Sequence, residues 1–272
     1  MKISFIGGGN MATALIGGLL ERGCATAADM QVVEIGAEAR ERLAQKFGVR
    51  AVAAADTQLL ACDLLLLAVK PQQMREALAP LAGKLAGQIV ISIAAGLRSV
   101  DLARWLGGYR RIVRAMPNTP ALIGAGMTGL YADPSLNAAE RSAAESVLAA
   151  VGSTLWIADE TMMDAVTAVS GSGPAYLFHF IEALEAAARA QGFDAASARL
   201  LSLQTCLGAA RLAAQSEDDP ATLRAKVTSK GGTTEAALAS LAADDLVAAM
   251  GRAVAAACAR GRELGDLLGK DD

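Results

Sequence analysis

Aromatic side chains make up only 4% of this 272-residue sequence, and there is a single histidine, four cysteines and no long block of one charge. Each shortage excludes something. Few aromatics and much alanine argue for closely packed helices rather than a β-sandwich core. The cysteines (Cys24, Cys62, Cys206, Cys258) lie far apart and form no Cys-x-x-Cys. They read as reduced thiols, with neither a disulfide framework nor a zinc site, and no metal site is expected. The lone His179 stands between Phe178 and Phe180, which reads as a packed helical residue rather than a catalytic one. A formal net charge of −3 with no clustered Lys and Arg gives nothing to hold a phosphate backbone, so nucleic acid is not an expected partner. The nearest candidate, Arg110, Arg111 and Arg114, reads as a solvated strand start. No apolar run approaches the roughly 18 residues of a membrane span, and the N-terminus meets "FIGGGN" too early for a signal peptide. The expected location is the cytoplasm.

What the chain does have is apolar mass: 53% hydrophobic residues and 27 glycines, enough for a sizeable core. Short apolar runs at 2–7, 30–35, 63–69, 88–94 and 111–116 alternate with helical stretches, the first helix running from about Asn10 to Arg22. That alternation, with runs apolar on both faces, predicts an α/β fold with a parallel sheet. Two further strands are expected at 126–133 and 153–159, around a helix from about Asn137 to Val151. After Asp159 only long alanine- and leucine-rich helical patterns follow, broken at 170–174, 191–194, 217–220 and 229–234. The expected domains are therefore 1–159, a sheet domain, and 160–272, an all-helical domain.

"FIGGGNMATAL" places Gly7, Gly9 and Ala12 in G-x-G-x-x-G/A spacing, with Gly8, Asn10 and Met11 between, directly after a strand and opening a helix. The first position allows the tight turn, the second lets backbone approach a pyrophosphate, and the third allows close helix–strand packing. Free N–H groups at the helix start attract the phosphates. Taken alone, such a loop can also be a glycine-rich turn without a ligand. Glu34 ends the second strand, where a carboxylate accepts hydrogen bonds from both ribose hydroxyls of an adenosine and repels a 2′-phosphate; the alternative is a solvated strand-end glutamate. Ala68, Val69, Lys70 and Pro71 end the most apolar strand and should face a cofactor, because ligands of open α/β sheets lie beyond the carboxyl ends of the strands. "SIAAG" (92–96) ends the next strand in small residues, and the prolines of "MPNTPA" (116–121) stiffen the backbone around Asn118 and Thr119.

Taken together, "GGGNMATA", "AVKPQ", "SIAAG", "RAMPNTPALIGAGMT", "VSGSGPAY" and "VTSKGGTTEAAL" resemble the pyrroline-5-carboxylate reductase family in order and spacing, over essentially the whole chain. The resemblance implies an N-terminal Rossmann-type dinucleotide-binding domain and an all-helical C-terminal dimerisation domain. It implies a homodimer with interlocked C-domains, a decamer of five dimers as a larger assembly, and a substrate site completed by both chains. It also implies hydride transfer from NADPH or NADH to the cyclic imine 1-pyrroline-5-carboxylate, giving L-proline. Gly7 to Ala12 and Ala68 to Pro71 would contact the cofactor, with Asn118 near the nicotinamide. Ser229, Gly231, Gly232, Thr233 and Thr234 would hold the substrate. Two positions depart from the family's usual pattern. Glu34-Ile35 replaces small, polar or basic residues suited to NADPH, which leans the chain toward NADH; Lys230 stands where many relatives have proline.

The "SKGGTT" turn, 229–234, is otherwise hard to explain in a helical half. Its glycines and the start of the following helix offer N–H groups to a carboxylate without an arginine, and Thr234 can hydrogen-bond the ring nitrogen. In "SGSGPAY", Ser172 suits a helix cap and Pro174 a first helical turn. A β-hydroxyacid dehydrogenase would need an acid–base lysine after the serine–glycine segment, yet 170–225 contains none. A non-catalytic nucleotide sensor would have no use for the glycine–threonine turn.

Overall fold

The structure, a computed structural model, describes residues 1–270. Eight strands form one sheet: β1 (Ile3–Ile6), β2 (Met30–Val33), β3 (Arg50–Val52), β4 (Leu64–Leu67), β5 (Ile89–Ser92), β6 (Ile112–Met116), β7 (Gly126–Ala132) and β8 (Gly152–Trp156). Their order is β3-β2-β1-β4-β5-β6-β7-β8. The first six are parallel, while β7 runs antiparallel to β6 and parallel to β8. The expected parallel sheet is thus reversed at one edge. A parallel crossover needs a dozen or more residues, and the connection 117–125 carries a single 3-10 turn, Thr119–Ile123. The short β3 escapes the sequence pattern because three residues carry too little periodicity.

Helices cover both faces: α1 (Asn10–Glu21), α2 (Ala37–Phe47), α3 (Met74–Leu78), α4 (Ser99–Trp105), α5 (Ala138–Ala149) and the short α6 (Met163–Val166). The side chains of β4 alternate between two cores. Leu64 and Leu66 join Phe5, Leu15, Ile16 and Val147 on one face. Leu65 and Leu67 join Met74, Leu78 and Leu102 on the other. A strand buried on both sides has no polar alternation to show, which is why these runs read as unbroken apolar stretches.

The chain divides into two compact units: Met1–Ser172 with the residues from Ala256 onward, and Gly173–Ala255. The change from strand to helix falls at Asp159, but residues 160–172 still pack on the sheet. Glu160 accepts hydrogen bonds from Ser99 N (2.6 Å), Ser99 Oγ (2.7 Å) and the buried Arg114 (2.9 Å). Val166 fills the space beside Gly129, where no Cβ would fit. The chain's last stretch belongs to the same unit. Arg98 pairs with Asp266, and Gly265 lies so close to Gly96 that a Cβ on it would stand 2.8 Å from the Gly96 carbonyl oxygen.

The second unit contains α7 (Gly173–Ala190), α8 (Ala195–Gln215), α9 (Pro220–Lys226), α10 (Thr233–Ala243) and the first part of α11 (Leu246–Leu268). As the repeated apolar patterns predict, it has no strand among its described residues. Only Ala198 and Ser202 are buried in it, and Phe178, Phe180, Leu200, Leu212, Val227 and Val247 are exposed. His179, expected to be packed, is exposed and faces Glu182 at 3.3 Å. No helix among the described residues is long and apolar enough to cross a membrane.

Two neighbouring glycines of α1 report how tightly the sheet unit is packed. A Cβ on Gly18 would stand 2.7 Å from the Ala150 carbonyl oxygen, whereas one on Gly17 would make an ordinary 3.5 Å contact with the Phe47 ring. Gly18→Ala is expected to destabilise the protein by about 1–3 kcal/mol through overpacking. Gly17→Ala is expected to stabilise it by about 0.4–1 kcal/mol by restricting the unfolded chain. Denaturant melts of the two variants check the opposite signs.

Candidate functional site

The strand order reverses between β1 and β4, with β2 to one side and β5 to the other. This switch point is where open α/β sheets hold ligands. Gly7 and Ala68 meet there. Gly7 N donates to Val33 O and Ala68 N to Ile6 O, each at 2.7 Å. Gly7 has φ +98°, and a Cβ on it would stand 2.7 Å from the Ala68 carbonyl oxygen, so glycine is required both for the turn and for the approach. Gly8 is buried under Leu43 and Glu34, and a Cβ there would meet Leu43 at 2.6 Å. Gly9 differs from both: it is exposed and has no atom within 4 Å of its Cβ position.

Gly9 is also the N-cap of α1, in an extended conformation with no side-chain cap, and the first turn carries no acidic residue. Asn10 is exposed, Met11 half-buried and Ala12 buried, so the helix start opens to solvent while its third residue packs inward. Three later helices instead close their starts with side chains. Asn137 caps α5, Asp194 caps α8 and Asp219 caps α9. The Asp194 and Asp219 carboxyls are held below the usual range by the backbone N–H groups of Ser197 and Thr222 that they accept. At α1 the first N–H groups of the helix, which have no intrahelical partner, remain open to an anion.

Glu34 follows β2 at the edge of this loop. Its two oxygens accept from Gly8 N and Gly36 N, both at 2.8 Å. Arg40 supports the same loop from α2, donating to the carbonyl oxygens of Glu34 and Ile35 at 2.8 Å. The carboxylate is therefore fixed beside the glycine loop, and Arg40 is engaged beneath it. Neither Gly36 nor the backbone role of Arg40 is visible in the sequence, because both depend on where the 34–36 turn goes. Past Ala68, Val69 and Pro71 are half-buried and Lys70 is exposed; Lys70 O accepts from Gln73 N at the start of a 3-10 turn, Pro71–Gln73.

Asn118 lies just past the carboxyl end of β6. Its Oδ1 accepts from Met127 N at 2.9 Å, and its Nδ2 donates to Ser170 O at 3.2 Å and Ser170 Oγ at 3.3 Å. The serine–glycine segment is not a clean break between two helices. Thr167–Gly171 forms a π turn, with Ser172 N donating to Thr167 O. Ser172 immediately precedes α7 with helical backbone angles rather than the extended ones usual at an N-cap, and Pro174 falls in the first turn of α7.

The remaining candidates share one turn of the helical unit. Gly231 is left-handed at φ +73°. Its N–H donates to Glu235 Oε2 at 2.6 Å, and Gly232 N donates to Ser229 O at 3.0 Å. The glycine N–H groups, expected to be open, are thus used inside the turn. What is open is the start of α10: Thr233 begins it, Gly232 is its extended N-cap, and no side chain caps it. Thr234 is half-buried, Ser229 and Thr233 exposed. Glu235, which braces the turn, carries no sequence signal beyond its place in the first helical turn.

Comparison with known proteins matches two segments of the chain. Residues 160–264 match the family described as "Pyrroline-5-carboxylate reductase dimerisation", and residues 2–96 match "NADP oxidoreductase coenzyme F420-dependent". A pyrroline-5-carboxylate reductase of Pseudomonas aeruginosa is 45% identical, over 99% of this chain and 98% of the relative. The solved structure of a pyrroline-5-carboxylate reductase from Coxiella burnetii is 39% identical, with a TM-score of 0.91 over 97% of this chain and 98% of that one. A Plasmodium falciparum pyrroline carboxylate reductase solved with NADP bound is 28% identical, with a TM-score of 0.86 over the same shares.

Proposed function

The chain belongs to the pyrroline-5-carboxylate reductase family, and we propose that it reduces 1-pyrroline-5-carboxylate to L-proline, the last step of proline biosynthesis. It is an NAD(P)-dependent oxidoreductase; action on a cyclic imine is the finer reading. The observation that carries it is two of the three uncapped, glycine-led helix starts among the described residues, those at Gly9 and Gly232; at the third, Gly36, the N-cap N–H is held by Glu34. The start at Gly9 suits a dinucleotide's pyrophosphate and that at Gly232 a small carboxylate.

The open space over Gly9 and the uncapped start of α1 fit a dinucleotide. In this reading Gly7, Gly8, Gly9, Asn10, Met11 and Ala12 cradle the pyrophosphate, and Glu34 receives the ribose hydroxyls. Ala68, Val69, Lys70 and Pro71 border the cofactor's path, and Asn118 shapes the far end, near the nicotinamide. Bound there, the dinucleotide supplies a hydride. Ser229, Gly231, Gly232, Thr233 and Thr234 hold the substrate. The first N–H groups of α10 receive its carboxylate, while Thr234 Oγ accepts from the N–H of the protonated imine. A threonine hydroxyl is too weakly acidic to act as a general acid near neutrality. Its task is orientation: the ring nitrogen arrives protonated, its carbon takes the hydride, and the nitrogen keeps its proton as the amine forms. Positioning and charge placement supply the catalysis.

The helical half is a dimerisation domain, and its exposed apolar side chains call for a partner surface. In this reading the protein works in the cytoplasm as a homodimer with interlocked C-domains, each substrate site completed by both chains, with a decamer of five dimers as the larger assembly.

Thr234→Ala is expected to lower kcat/KM for 1-pyrroline-5-carboxylate by roughly ten- to a hundredfold, the weight of about 1.4–2.7 kcal/mol in the transition state. NAD(P)H affinity should stay unchanged. Steady-state rates together with a cofactor titration check both, and undiminished turnover would remove Thr234 from the mechanism.

Glu34 governs the choice between NADH and NADPH. At about 4 Å and an effective dielectric near 20, a like-charge pair costs up to about 4 kcal/mol before screening by solvent and salt. About a third of that, 1.4 kcal/mol, is tenfold in affinity. The expected outcome is a kcat/KM at least tenfold higher with NADH, shifting toward NADPH in Glu34→Ser. Initial rates with both cofactors decide it; a wild-type preference for NADPH would mean that the carboxylate leaves the ribose edge.

A further inference from the structure

The π turn at 167–171 is held at the carboxyl end of β6 by two contacts, and the residue before it packs on β7. The Asn118 fork grips Ser170. Met116 lies against Gly171, where a Cβ would stand 2.7 Å from its Cε. Val166 fills the space over Gly129. π turns interrupt helices mostly at functional positions, because the extra residue frees backbone groups and re-aims a side chain. Ser170 lies within this turn.

The orientation of the Asn118 amide is fixed by its partners. Met127 N–H can meet only the amide oxygen, and Ser170 O can meet only the amide nitrogen, so the two constraints agree. Asn118 therefore donates to both oxygens of Ser170. With a lone pair of Oγ occupied in this way, the Ser170 hydroxyl hydrogen must point away from Asn118. No described residue accepts it. A half-buried hydroxyl donor without a protein acceptor needs water or a ligand.

Its place in the sheet suggests which ligand. A dinucleotide whose pyrophosphate lies at the end of β1 extends across the carboxyl ends of the neighbouring strands. Its adenosine half lies toward Glu34 and β2, and its reacting half toward β4, β5 and β6. Asn118 and Ser170 stand at the β6 end. We propose that Ser170 is a further cofactor-contacting residue, its hydroxyl donating to the carboxamide oxygen of the reduced nicotinamide, and that Asn118 is the positioning residue that aims it. The contact fixes the rotation of the ring and hence the face from which hydride leaves. This rests on the dinucleotide reading of the glycine loop.

The test uses the full-length protein. Ser170→Ala should bind NADH, followed by fluorescence titration without substrate, about threefold to tenfold more weakly. It should also lower kcat by a similar factor, with KM for 1-pyrroline-5-carboxylate and the melting temperature unchanged. Ser170→Thr, which keeps the hydroxyl, should retain most of the activity. Asn118→Ala should reproduce the loss, and the double variant should be no worse than either single one, because the two residues act as a unit. Thionicotinamide dinucleotide, whose sulfur accepts poorly, should penalise the wild type more than Ser170→Ala. If Asn118→Ala does not fold, the Ser170 variants and the sulfur analogue still decide. Wild-type cofactor affinity and rates in Ser170→Ala, additive losses in the double variant, or an equal sulfur penalty in both proteins would overturn the proposal. Failure of the wild type to bind NADH at all would instead overturn the dinucleotide reading beneath it.

Discussion

The chemistry proposed for this protein depends on two helix starts left bare by glycine. Gly9 before α1 and Gly232 before α10 are both extended and both without a side-chain cap, in a chain that caps α5, α8 and α9 with Asn137, Asp194 and Asp219. A capping side chain is worth about 1 kcal/mol to a helix. Leaving it out at these two starts gives up that stability in exchange for N–H groups that can meet an anion. Each bare start is braced from nearby by a glutamate bonded to a glycine N–H: Glu34 on Gly8 and Gly36, Glu235 on Gly231. The brace fixes the turn while leaving the first helical N–H groups free.

The two starts lie in units built on different principles. The sheet unit is self-sufficient, with apolar strands covered on both faces and glycines where backbones must touch. Glu160 binds β6 to the start of α4, keeping the carboxyl ends of the strands rigid. Such an ion pair serves position more than stability, because desolvating its two charges offsets much of their attraction. The helical unit buries almost nothing by itself. Its apolar surface is a binding surface, and the dimerisation match over 160–264 names the use.

Much of this was legible in the sequence because it follows from periodicity and spacing. Seven of the eight strands show as apolar runs, and Gly7, Gly9 and Ala12 announce the loop between β1 and α1. The reversal of β7 was missed, since direction depends on the length of a connection rather than on the strand's own residues. Hydrogen-bond partners lay beyond reach altogether. That Asn118 grips Ser170, or that the Gly231 and Gly232 N–H groups are used within their own turn, depends on atoms brought together by the whole fold.

The central proposal is that the bare start of α1 in one subunit and the bare start of α10 in its partner build one reaction site. Aspartate at either N-cap should preserve the helix, being a good capping residue, while its charge closes that anion site. Gly9→Asp and Gly232→Asp homodimers should each be folded and inactive. Co-expression with two different affinity tags and tandem purification isolates the mixed dimer, whose turnover of 1-pyrroline-5-carboxylate is then measured. The account predicts that activity returns, because one of the two shared sites then pairs an intact Gly9 with an intact Gly232. A mixed dimer as inactive as its parents would contradict it, placing both starts of each site in the same chain.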